Sequence, residues 1–112
     1  MALTVKVIGS DQLTQVTPTD LFVPVIPGKA QIIKSMRFAN TSPTAAVTLN
    51  LYFARSTGND RQIGPKNLSI PAGNIYVDEA EITLETGDRI RGCVSPMGCA
   101  VDYVISGIER DA

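Results

Sequence analysis

Val47-Thr-Leu-Asn-Leu-Tyr-Phe53 puts Val47, Leu49, Leu51 and Phe53 on one parity and Thr48, Asn50 and Tyr52 on the other. Strand side chains alternate faces with a period of two, so this stretch predicts a strand with one face on a core and the other toward solvent or a partner. The same alternation recurs outward in both directions. Leu3, Val5 and Val7 alternate with Thr4 and Lys6, Ile82 and Leu84 with Glu81, Thr83 and Glu85, and Val101, Tyr103 and Ile105 with Asp102, Val104 and Ser106. In Ala30 to Asn40, Ile32, Met36 and Phe38 share a face and Ser35 and Arg37 take the other, while Ile33 and Lys34 break the pattern, which permits a bulge.

Punctuation between these runs is turn chemistry. Ile26-Pro-Gly-Lys29 fits a type II turn, and Asn40-Thr-Ser-Pro-Thr44, Pro71-Ala-Gly-Asn74, Thr86-Gly-Asp88 and Pro96-Met-Gly98 separate later strands. Leu21-Phe-Val23 starts a strand that Pro24 and Pro27 limit. The last strand runs from about Ala100 to Ile108, and no window has helical periodicity. The expected fold is all-β: a single-domain antiparallel β-sandwich, jelly-roll-like, of about eight strands. Residues 1–19 form an N-terminal strand and a Thr- and Gln-rich arm that docks on another subunit, and residues 20–112 form the sandwich domain.

The 112 residues suffice for one core. Hydrophobic residues make up 44% and aromatics 5% with no Trp, so the core is built from Val, Ile and Leu. A net charge of −1 with scattered Lys and Arg speaks against nucleic-acid binding. No apolar run reaches a membrane span, and the start Met1-Ala-Leu-Thr-Val-Lys lacks the pattern of an export signal. Cys93 and Cys99 are expected as free, partly buried thiols.

The absence of histidine excludes mechanisms built on an imidazole base. No catalytic, cofactor or metal site is expected. Asp78-Glu79-Ala-Glu81 supplies carboxylates, but Glu79 and Glu81 share a parity opposite to Ala80, Ile82 and Leu84, which makes them the solvated side of a strand. Asn40-Thr-Ser42 and Asn67-Leu-Ser69 match the glycosylation pattern by chance. Residues 56–67 form the longest polar interruption, and long loops in small domains are usually partner-facing. Asn59, Asp60, Arg61, Ile63 and Lys66 are therefore the interface candidates: polar groups for directional bonds around one apolar anchor.

The stretch from Ile26 to Glu109 resembles a family of small tailed-phage virion proteins and C-terminal modules of phage structural proteins. The elements that carry the resemblance are Pro27-Gly-Lys29, Lys34-Ser-Met-Arg-Phe-Ala-Asn-Thr-Ser42, Asn50-Leu-Tyr52, Pro71-Ala-Gly73, Glu85-Thr-Gly-Asp-Arg-Ile90 and Val104-Ile-Ser-Gly-Ile-Glu109. It implies a non-enzymatic virion protein made in the bacterial cytoplasm, first of all a capsid decoration (cement) protein. Its partners would be the major capsid protein, or tail or neck proteins, and further copies of itself in a homo-oligomer, with a trimer favoured. A tail, neck or fibre-associated module is the alternative. A carbohydrate-binding host-recognition domain is a third, disfavoured by the lack of Trp.

Overall fold

The computed structural model describes residues 3–79 and 81–111. The side chain of Leu3 lies outside it, as do the parts of the expectations above that fall on residues 1, 2, 80 and 112. Ten strands follow one another: β1 (Leu3–Leu13), β2 (Thr19–Asp20), β3 (Lys29–Asn40), β4 (Val47–Ala54), β5 (Arg61–Gln62), β6 (Leu68–Ile70), β7 (Ile75–Asp78), β8 (Ile82–Leu84), β9 (Arg89–Ser95) and β10 (Val101–Asp111). They form two five-stranded antiparallel sheets. The first has the order β1-β10-β3, with β7 and β8 both on the far side of β3, and the second has β2-β9-β4, with β5 and β6 both on β4.

The pairings nest. β1 lies on β10, β2 on β9, β3 on β7 and β8, and β4 on β5 and β6, so the chain is one long antiparallel ribbon. Rolling that ribbon brings β3 against β10 and β4 against β9, which is the jelly-roll arrangement. The sandwich expectation holds, with ten strands in place of about eight. β2 and β5 have two residues each, too few to show a period. Leu21-Phe-Val23 is not a strand. Leu21 N–H donates to Ile90 O (3.0 Å) and Val25 N–H to Asp88 O (3.2 Å), but Pro24 between them has no N–H to continue a ladder.

The core between the sheets is built as the alternation predicts. Val47, Leu49 and Leu51 of β4 are buried and Phe53 half-buried, opposite Met36 and Phe38 of β3 and Val101, Tyr103 and Ile105 of β10. Phe38 stacks on Tyr76 and Tyr103 with ring centroids 6.4 and 6.1 Å away, and the buried Tyr103 hydroxyl donates to Leu21 O.

Two bulges reset the parity elsewhere. The β1–β10 register shifts between Val7 and Gly9, so Ile8 is an extra residue. Leu13 therefore faces the core while Val5 and Val7, of the same parity, face outward. The β3–β10 register shifts at Ser106/Gly107, across from Lys34, and it is Ile33 that is buried, while Ile32 takes the outer face with Ile108. Gly107 is required there, because a Cβ would lie 2.1 Å from the Ile32 carbonyl oxygen.

Polar residues fasten the ends of the sandwich. The buried Asn40 donates through Nδ2 to Ala45 O and Ile70 O (2.9 Å each) and accepts from Ser42 N–H (3.0 Å), tying β3 to the opposite sheet. An Asn so engaged is closed to glycosylation. At the β8–β9 turn, Gly87 has φ +85° and Asp88 is buried, its Oδ2 accepting from Glu85 N–H (2.9 Å) and its Oδ1 2.8 Å from Arg55 Nε. Two of the motifs behind the family resemblance are thus hydrogen-bonded ends of strands.

Candidate interaction surfaces

The outer face of the β2-β9-β4 sheet is polar and closed on itself. Arg91 of β9 donates through Nη1 to both carboxylate oxygens of Asp60 (3.2 Å each) and through Nη2 to Pro18 O (2.9 Å), and its Nε lies 3.0 Å from Asp20 Oδ1. A planar guanidinium can serve three directions at once. Beside it, Asn50 of β4 accepts at Oδ1 from Asn67 N–H (2.8 Å) and Gln62 Nε2 (3.1 Å) and donates through Nδ2 to Asn67 Oδ1 (3.1 Å). Tyr52 lies on the same face, and burial, helped by its neighbour Cys93, pushes its phenol above the usual range.

Residues 56–67 are therefore strapped to their own sheet, by Asp60 near one end and by Asn67 at the other. Asn67 holds a left-handed backbone (φ 55°), which Asn tolerates better than most residues. Of the candidates read from sequence, Asp60 is engaged by Arg91. Ile63 packs against the core, its N–H bonded to Leu51 O (3.0 Å), and Asn59, Arg61 and Lys66 are exposed. The loop brings the five together only as a strip along one edge. Asn50, expected to face solvent or a partner, instead holds the loop, and neither it nor Arg91 stood out in the sequence. Their partners are 17 and 31 residues away and no periodicity reveals them.

The outer face of the β1-β10-β3 sheet has the opposite character. Register alignment puts Val5 and Val7 of β1, Val104, Ser106 and Ile108 of β10, Ile32, Ser35, Arg37 and Ala39 of β3, and Ile75 and Val77 of β7 on this one surface. Val5 is 86% exposed, Val7 59%, Ile75 54%, Val104 43% and Val77 39%. Among the described residues no loop crosses these side chains. Contiguous apolar surface on an outer sheet face marks contact with something else. The signal existed in the sequence as the Val5/Val7 alternation, but the bulge at Ile8 inverts its meaning.

Several of the other charged and thiol groups are paired or half-buried. Glu81 pairs with Lys34 (2.5 Å), and Glu109 with Lys6 (3.3 Å) and Gln31 Nε2 (2.9 Å). Gln31 and Lys6 together hold the Glu109 carboxyl below its usual range, the Gln31 bond contributing most. Cys93 and Cys99 are free thiols, both half-buried, and burial pushes the Cys99 thiol up. No group of three or more metal-ligating side chains occurs among the described residues.

No family model and no curated protein matches the sequence. Solved structures match by shape. A chain in the structure of infectious bursal disease virus, Gx strain, superposes on 99% of this chain with a TM-score of 0.53 at 13% identity, using 32% of its own length. A chain from the Gt strain of the same virus covers 96% with a TM-score of 0.50 at 11% identity, again over 32% of its length. The likeness is one of fold. This chain spans about a third of either viral chain, as a single all-β sandwich within a longer polypeptide.

Proposed function

We propose that this chain is a non-enzymatic structural protein of a virus particle. The observation that carries this is the superposition of nearly the whole chain on part of chains from a virus structure. The motifs from Pro27 to Glu109 favour a tailed-bacteriophage particle in particular. There the protein would decorate and cement the shell, made in the bacterial cytoplasm and held by the major capsid protein and by other copies of itself. Its ionic groups suit that role, since Asp20, Asp60, Lys34, Glu81, Lys6 and Glu109 are spent on ion pairs within the chain. With a net charge of −1, attachment must come from buried mixed surfaces and not from long-range attraction.

Quantitative mass spectrometry of purified particles tests this. A copy number on the scale of the shell's own subunits supports decoration, and a few copies would move the protein to the tail or neck. Absence from the particle overturns the virion role. Retention on a glycan array would instead favour host recognition.

A further inference from the structure

The two outer faces differ in what engages them: residues 56–67, along one edge of the β2-β9-β4 sheet, reach onto its outer face through Asp60 and Asn67, while the outer face of β1, β10, β3 and β7 has several exposed apolar side chains. We propose that this second face is a two-fold interface on which the chain packs, sheet against sheet, with a second copy of itself.

Its size is that of an interface. At about 4.8 Å between strands and about 3.3 Å per residue, four strand positions by the eleven residues of β10 make a face of roughly 700 Å². Each partner of a standard-size complex gives about 800 Å². The exposed Val5, Val7, Val104, Val77 and Ile75 are spread over β1, β10 and β7 with Ser106, Ser35 and Arg37 among them, and stacked sheets about 10 Å apart interdigitate such side chains.

Its charges identify the occupant as a second copy. Arg37 stands on β3 among Ser35, Val104 and Ser106, across from Val77, and Glu79 follows two residues after Val77 in the continuation of β7. Both are exposed, and among the described residues neither has an ion-pair partner. The face carries Arg37 as a cation with Glu79 diagonal to it on one side, and Asp102, the next outward residue of β10 after Val104, on the other as a second anion outside any ion pair among the described residues. With both signs present the face can match itself, and under a two-fold axis Arg37 of each copy meets Glu79 of the other. A three-fold ring needs two different patches that fit each other. The other adjacent exposed apolar pair, Val23 and Ile26, sits in the β2–β3 connection beside the charged Lys6 and Glu109 and offers no comparable area. The face thus favours a dimer over the trimer suggested by the family resemblance.

Sedimentation equilibrium of the purified full chain over a wide concentration range tests the pairing. The intact chain should be a monomer–dimer system. R37E and E79R should each weaken dimerisation at least about tenfold, and the double reversal should recover to within about threefold of the original, because it restores both pairs. V104D should abolish the dimer. All three sites are exposed, so a cooperative melting transition, measured at a concentration where the intact chain is also monomeric and matching it, confirms that the variants are folded. A chain monomeric at high micromolar concentration, a trimer, or a dimer unmoved by these changes overturns the proposal. Weakening without recovery in the double variant overturns the two-fold register. The measurement is independent of the virion role: a dimer absent from particles keeps the interface, and a particle component that stays monomeric in solution keeps the role.

Discussion

Leu51 and Asn50 are neighbours on β4 whose side chains point to opposite sides of one sheet, and the sequence discloses the first far better than the second. Leu51 is buried as its parity predicts, so Leu51→Ala should cost about 2–5 kcal/mol, as for a leucine whose removal leaves a cavity. Asn50 has the right parity for the outer face, but its amide holds Asn67 N–H, Asn67 Oδ1 and Gln62 Nε2. Asn50→Ala should therefore cost about 1–2 kcal/mol where a free surface residue would cost almost nothing, because a loop donor loses its acceptor. Urea titration of both variants checks this. An Asn50→Ala midpoint equal to that of the intact protein would mean that the loop stands without the amide. Polarity and periodicity say which way a side chain points, and a hydrogen bond across 17 residues depends on a loop path that neither encodes.

Among the elements, the central strands were legible because nothing interrupts their alternation, whereas β1 and β3 each carry a bulge that flips every side chain beyond it. One extra residue at Ile8 turns an apparent core strand into half of an exposed apolar face. Val5→Thr and Val7→Thr should accordingly shift stability by no more than about 0.5 kcal/mol, while Leu13→Ala, on the other side of the bulge, should cost about 2–5 kcal/mol. If the valine changes prove as costly as the leucine change, the bulge is misplaced. Residues 56–67 divide in the same way. Arg61 is exposed and Ile63 packs on the core, so Ile63→Ser should lower the melting temperature of the free protein and Arg61→Ser should leave it unchanged. Only Arg61→Ser can then report on contacts within a particle, through the occupancy of the protein in purified virions.

For the whole molecule, the class of fold followed from alternating runs at short spacing, while the broad surface that distinguishes one face from the other did not. It is assembled from β1, β3, β7 and β10, from both ends of the chain, and only the rolled ribbon brings them side by side. The N-terminal stretch shows how far folding and association can be separated. β1 pairs with β10 throughout its length, yet Thr4 to Val7 contribute exposed side chains, whereas Leu13 enters the core and Gln15 O accepts from Val94 N–H (2.8 Å) on the opposite sheet. Removing residues 1–7 should then leave a cooperative unfolding transition with a lowered midpoint and strip Val5 and Val7 from the proposed two-fold face. Removing residues 1–15 should also take away the core leucine and the cross-sheet bond, and bare the whole edge of β10 to unwanted strand pairing. The expected outcome is a folded but weakly associating protein from the shorter deletion and an aggregating one without cooperative unfolding from the longer. Circular dichroism in urea with sedimentation of both proteins decides it: if the longer deletion folds as well as the shorter, residues 8–15 belong to an arm for a neighbouring subunit and not to this sandwich.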